Sequence, residues 1–289
     1  PLHQLGLVPV FVDVNVDTFG INYILAEQAI TEKTKAILAV NLLGMPAHLQ
    51  ELKRICTKYD ISLLEDNCES LGATEDGKFA GTYGSFGTFS FFFSHHMQTM
   101  EGGMILTDDI LLAEYARSVR AHGWVRDLKT DILYKPGTYS KWEEAYKFIV
   151  PGYCMRPLEM SGAIGRVQLE KLDSMLSMRR QNAGVFKEQF GKYFNIQREG
   201  IHSHSSWFGF AAVVKEMYRE NGIRQYIVNG LSEHGVETRP IVTGNFLRQP
   251  VMKYIRHRVH DTFINAEAID RYGFYLGNSH RDIRKKIET

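Results

Sequence analysis

Two short apolar runs in this chain stop abruptly at reactive side chains. Ile61 to Leu64 ends in Glu65, Asp66, Asn67 and Glu69, and Phe86 to Phe93 ends in Ser94, His95 and His96. Both read as buried strands whose polar residues come only at their carboxyl ends. In an open parallel sheet, ligands bind in the crevice beyond those ends. The two runs are therefore expected to deliver carboxylates, a hydroxyl and imidazoles to one place.

The flanking chain supports a parallel sheet. Val8 to Val14 reads as a strand, Ile21 to Ile30 as a helix, Ala36 to Val40 as a strand, and Ala47 to Tyr59 as a helix with Leu49, Leu52, Ile55 and Cys56 on one face. Strand–helix alternation implies right-handed crossovers and a sheet covered by helices. Met104 to Thr107 is a further short strand, Ile110 to Ala121 a helix, and Asp127 to Val150 an irregular loop suited to an active-site or subunit-contact segment. Pro157 to Phe190 has one long helical pattern, expected to link two domains or to bend midway. Beyond it, Phe208 to Val214 and Val236 to Val242 read as strands around a helix from Gly222 to His234, with weaker helical patterns over Arg248 to Asn265 and Ala266 to Tyr272. The expected architecture is α/β, with a large domain over residues 1–178 and a smaller α+β domain over 179–289.

Composition narrows the ligand. A chain of 289 residues with 34 basic and 33 acidic side chains has a formal charge of +1, which offers no global field for nucleic acid or an anionic membrane. No apolar run approaches the roughly 18 residues that a membrane span needs. Cys56, Cys68 and Cys154 lack CxxC spacing and cannot frame a disulfide scaffold or a four-cysteine iron–sulfur site. They fit a reducing compartment, and the expected location is the cytoplasm.

Each candidate residue has a plainer reading. Asp66 at a strand end also suits a helix cap or a solvated turn. Its company, Glu69, Ser90 and His95 at neighbouring strand ends, favours a site, because a carboxylate in a crevice calls for a cation such as a protonated pyridine nitrogen. His95 and His96 are adjacent and cannot both face one site on a regular element, and the pair lacks the i, i+4 spacing of a helical zinc site. His122 and Arg126, four apart at a helix end, suit the helix dipole as well as a ligand. Arg156, in a Tyr-Cys-Met-Arg-Pro turn, can fork onto a carboxylate or phosphate or make a surface ion pair.

Taken together, LLEDNCESLGA, GTFSFFFSHHMQTMEGGMILTDD, RAHGWVRD, PGYCMRPLEMSGAIGRVQLEKL and ETRPIVTGNFLRQP resemble the sugar aminotransferase family of fold-type-I pyridoxal-phosphate enzymes. Family aminotransferases carry a lysine six residues before the Glu of a GEGG-like turn, and it holds the cofactor covalently. Counting back six from Glu101 gives His95. The resemblance then implies pyridoxamine 5'-phosphate bound without a covalent link. It implies loss of the C3 hydroxyl from a GDP-linked 4-keto-6-deoxyhexose, with His95 as the proton carrier, and L-glutamate returning the cofactor from its pyridoxal 5'-phosphate form.

By the same resemblance Asp66 pairs with the pyridine nitrogen, Glu69 and Ser90 contact the cofactor, His122 and Arg156 receive glutamate, and Arg126 contacts the sugar nucleotide. A homodimer with its active site at the subunit interface is implied. So is a leading segment with a Gly-Ser phosphate cradle, an aromatic residue over the cofactor ring and part of the nucleotide pocket, none of it within these 289 residues. Cys154 stands where the family has an Asn that reaches the phosphate of the neighbouring subunit's cofactor. Other readings are a family member without catalysis and an ordinary nucleotide-sugar aminotransferase, the latter disfavoured by His95. A histidine-bearing CDP-sugar dehydratase needs an iron–sulfur cluster that these cysteines do not provide.

Overall fold

In the computed structural model, which describes residues 1–288, the strands Ala36–Val40, Ser62–Asp66 and Phe86–Ser90 are parallel neighbours, and Gly103–Leu106 adds an antiparallel edge. Helix Leu49–Lys58 connects the first two strands and buries Leu49, Leu52, Ile55 and Cys56 against Ile37, Ala39 and Leu63. Its first amides, from Leu49 and Gln50, donate to the Glu75 carboxylate, so a residue outside the helix satisfies donors that would otherwise be orphaned.

The strands differ from the expected continuously buried runs. Ile37, Ala39, Leu63, Glu65, Gly87 and Phe89 are buried, whereas Leu38 and Val40 are exposed and Leu64, Asp66, Thr88 and Ser90 are half-buried. Among the described residues helix packing covers one face, and period-2 geometry puts Asp66 and Ser90 on the other. Glu65 points into the covered face. It is 1% exposed and accepts amide hydrogens from Gly81, Tyr83 and Gly84 at 2.6, 2.7 and 2.7 Å. One carboxylate thus ties the strand bearing Asp66 to the loop that feeds Phe86–Ser90. Burial raises its pKa, and the three amides oppose that shift.

A second, wholly antiparallel sheet runs in the order Thr238–Arg239, Gly273–Gly277, Gly209–Val214, Phe194–Ile196. All six residues of Gly209–Val214 are buried. The turn after the first parallel strand enters this core: Leu43 packs with Ala211, Val213, Ile241 and Ile269, and Met45 with Phe186, Trp207 and Phe210. Backbone bonds from Ser206 N to Gly44 O and from Phe208 N to Leu43 O, both 3.0 Å, fix the junction. The crevice beyond the parallel strand ends is consequently walled by residues 205–208.

Several expectations needed correction. The pattern over Pro157 to Phe190 is two helices, Glu159–Leu169 and Leu172–Phe190, parted at Glu170 and Lys171, so the midway bend is the version observed. Arg248 to Asn265 is not a helix. It holds 3-10 turns at Phe246–Arg248 and Pro250–Tyr254, then Arg258–Val259 paired in parallel with Val10–Phe11. Pro250 opens the second turn, and Asp261 adopts φ 67, which no helix continues through. Strands Phe194–Ile196 and Gly273–Gly277 were not anticipated. Of Val8 to Val14, only Val10–Phe11 forms a strand.

Candidate active site

After Ser90 the chain turns back sharply, with Phe92 N–H donating to the Ser90 hydroxyl at 3.2 Å and His95 N–H to the Phe92 carbonyl at 2.9 Å. This turn separates the two imidazoles. His96 is 3% exposed, its Nε2 lies 3.0 Å from the Ser206 carbonyl, and burial drives its pKa down to about 3. It is a neutral strut between the two sheets. His95 stays half-open, its ring 5.2 Å from Phe208 and 6.0 Å from Phe92. Its pKa is lowered, chiefly by burial. The Phe92 carbonyl and the Asp66 charge pull it up, and the Arg179 guanidinium pushes it down. At neutral pH His95 therefore presents a free base within the electrostatic reach of Asp66.

Asp66 closes its strand with Oδ1 accepting the Cys68 amide at 3.0 Å, which fixes the carboxylate and leaves acceptor capacity for a ligand. The Cys68 thiol is pushed up to about 12, first by burial and then by Asp66, so it is inert at neutral pH. Glu69 accepts the Leu43 amide at 2.9 Å, and burial raises its pKa. It braces the inter-sheet turn.

His122, Arg126 and Arg156 form a second group on a ribbon. Residues 119–125 run antiparallel to 147–155, with bonds including His122 N to Tyr153 O at 2.8 Å, Ile149 N to Gly123 O at 2.9 Å and Val125 N to Lys147 O at 3.1 Å. The crossing requires glycine: a Cβ on Gly123 would lie 1.8 Å from the Val150 carbonyl oxygen, and one on Gly152 would lie 2.2 Å from the Gly123 nitrogen. His122 is held at φ 63, a conformation that costs about 1 kcal/mol for a non-glycine and concentrates at functional sites. All three side chains gather on Trp124. The His122 ring lies at 4.9 Å, and the Arg126 and Arg156 guanidinium carbons lie 4.4 and 5.8 Å from the indole.

The groups are joined through Ser161, whose hydroxyl donates to the carbonyls of Thr99 and Glu101 at 3.4 and 3.2 Å. Those carbonyls belong to the turn behind His95, and Ser161 lies in the first turn of the helix that Arg156 precedes. Phe208, Trp124 and Arg179 were not singled out in the sequence. Trp124 had a signal, standing between His122 and Arg126 in RAHGWVRD. Phe208 had none, since only the folded chain brings it to His95. Among the described residues no cluster of three or more His, Cys, Asp or Glu could hold a metal ion, and no helix is long and apolar enough to cross a membrane.

A model of the DegT/DnrJ/EryC1/StrS aminotransferase family matches residues 1–283. The chain belongs to this family. Among DegT/DnrJ/EryC1/StrS members it is 48% identical over 293 residues to a GDP-4-keto-6-deoxy-D-mannose 3-dehydratase of Yersinia pseudotuberculosis, covering all of this chain and 74% of that protein. Among solved structures it matches a GDP-4-keto-6-deoxymannose-3-dehydratase with a trapped PLP-glutamate geminal diamine, at TM-score 0.93 and 46% identity, over 100% of this chain and 75% of that one. It also matches a histidine-to-asparagine variant of that enzyme with bound GDP-perosamine, at TM-score 0.92 and 45% identity, over 100% and 75%.

The fold is that of the fold-type-I aminotransferases, and the DegT/DnrJ/EryC1/StrS cofactor is pyridoxal 5'-phosphate or its amine form. The residues present fit that group. His95 Nδ1 is buried with no hydrogen-bond partner, and Asp66 offers a carboxylate on the sheet face opposite the helix packing. Both are of the chemical types that a protonated ring nitrogen and the cofactor carbon beside it would use.

His96 gives a stability prediction. Its folded pKa of about 3 lies below the unfolded 6.5. The unfolded chain therefore takes up the proton first, and stability is lost as pH falls from 6.5 toward 3. At pH 5 the loss from this group is about 2 kcal/mol. Urea unfolding of wild type and His96→Gln at pH 7.5 and 5.0 should show the stability difference shifting by that amount in the variant's favour at pH 5. A pH-independent difference would show that His96 is not buried neutral.

Proposed function

We propose that this protein removes the C3 hydroxyl of a GDP-linked 4-keto-6-deoxyhexose, with pyridoxamine 5'-phosphate held non-covalently and L-glutamate restoring the amine form. The observation that carries the reading is an imidazole where family aminotransferases place a lysine, six residues before Glu101, on the same crevice as Asp66. When bound, pyridoxamine 5'-phosphate supplies an amine for the C4 ketone and a ring that accepts an electron pair. Asp66 keeps the proton on the pyridine nitrogen. His95, neutral at pH 7, would take a proton at the cofactor's C4′ carbon and return it to the departing C3 oxygen, which leaves as water; hydrolysis of the released sugar enamine would then restore the ketone and free ammonia. Phe92 and Phe208 flank the imidazole and keep bulk water from it. Glu69 and Ser90 brace the cofactor side, His122 and Arg156 take the carboxylates of glutamate, and Arg126 takes the sugar nucleotide.

The reading places the reaction in the cytoplasm and in a homodimer. Support for the dimer comes from the apolar stretch Trp142, Tyr146, Phe148, Tyr153, Met155, Leu158 and Met160, each more than half exposed on one arm. Sedimentation as a monomer at micromolar concentration would contradict it. The function is tested by incubating the protein with pyridoxamine 5'-phosphate, the GDP-4-keto-6-deoxyhexose and L-glutamate, and weighing the sugar product. A product one oxygen atom lighter that is still a ketone is expected. An amino sugar would make the protein an aminotransferase, and an unchanged sugar would leave a non-catalytic scaffold.

A further inference from the structure

Trp124 is the centre of a cationic array that has no ion-paired carboxylate among the described residues. Arg126 donates to the Ala145 carbonyl and stacks on Trp124 and Tyr146, at 4.4 and 5.3 Å. Arg156 makes only its 5.8 Å approach to the same indole, and among the described residues neither arginine has an ion pair. The His122 ring lies tilted against the indole, 4.9 Å away. The indole Nε1–H is buried with no acceptor. Buried tryptophan N–H groups usually find one, so an unpartnered donor beside two guanidinium groups and an imidazole is suited to an anion.

We infer that Trp124 is the positioning residue of the amino-donor site, holding His122 and the two arginines against its ring faces and donating its N–H to a carboxylate of L-glutamate. The ring faces attract the guanidinium groups and keep like charges at fixed separation, an arrangement that free arginines would avoid. The N–H adds a neutral donor beside the guanidinium groups. The identity of the anion rests on the function proposed above. The array itself does not, and it can be tested without turnover.

The test uses Trp124→Phe, which keeps an aromatic face and lacks the N–H, and Trp124→Leu, which lacks both. Calorimetric binding of glutarate, which carries both carboxylates of glutamate and cannot transaminate, to the pyridoxal-phosphate-loaded protein should weaken about 10-fold in Trp124→Phe and about 100-fold in Trp124→Leu, the scale of one and then several charge-assisted contacts. GDP-mannose, as a stable sugar-nucleotide probe, should weaken only in Trp124→Leu, through Arg126. In turnover the KM for glutamate should rise with these constants, while kcat at saturating glutamate stays within about 2-fold for Trp124→Phe. Unchanged glutarate binding in Trp124→Leu would overturn the inference. So would an equal loss of cofactor binding in both variants, which marks a merely structural role. If binding follows the predicted order while the sugar product is unchanged in mass, the array stands and the dehydratase reading falls.

Discussion

His95→Asn should slow loss of the C3 hydroxyl by about 10²–10⁴-fold, the usual worth of a positioned general base. Asparagine is close in size and lacks a titrating nitrogen, so packing against Phe208 and Phe92 is largely kept. Binding of pyridoxamine 5'-phosphate should stay within about 3-fold, because in the proposed reaction His95 acts on a carbon and Asp66 grips the ring. The wild-type pH profile carries the same signature. Burial lowers the His95 pKa, so the neutral form persists below the ordinary histidine range, and the acid limb of kcat/KM should fall below pH 6.5. In His95→Asn that limb should vanish. Single-turnover mass analysis at several pH values measures both effects. A variant within about 10-fold of wild type would remove His95 from the chemistry.

Glu65→Gln should cost about 3–5 kcal/mol of stability. The carboxylate accepts three buried amides, each bond to a charged group is worth about 1.5–3 kcal/mol, and glutamine can accept through one oxygen only. Its amide hydrogens would also face backbone donors in a site that is 1% exposed. The damage should reach the active site, because Gly81–Gly84 leads directly into the strand that carries Ser90 and the turn to His95. Urea unfolding should show the lower midpoint, and pyridoxamine 5'-phosphate affinity should fall with it. Should the variant not accumulate, Gly84→Ala offers a second handle on the same loop, since its Cβ would meet the Leu63 carbonyl oxygen at 2.2 Å. A loss below 1 kcal/mol in Glu65→Gln would contradict the anchoring role.

What could be read from the residues, and what could not, follows from the range of the interactions. Strand Ala36–Val40 and helix Leu49–Lys58 were legible because their apolar periods are local and each buries one face. Asp66 and His95 could be picked out as candidates because apolar runs stop at them, and the spacing to Glu101 pointed to His95 over His96. Gly273–Gly277 was hidden: GFYLG follows a helix directly and becomes a strand only by pairing with Gly209–Val214 and Thr238–Arg239. Phe208 beside His95, and the imidazole and two guanidinium groups on Trp124, are tertiary facts. Their sequence neighbours, Ser206 and Trp207 in one case and His122 and Arg126 in the other, hint at a site only in the second.

The central claim is that an imidazole at position 95 leaves the cofactor without a covalent anchor, and borohydride reduction tests it most directly. Wild-type protein loaded with pyridoxal 5'-phosphate, reduced and mapped by peptide mass, should carry no stoichiometric pyridoxyl group on any lysine. His95→Lys treated alike should carry one at position 95. A stoichiometric lysine adduct in the wild type would contradict the account.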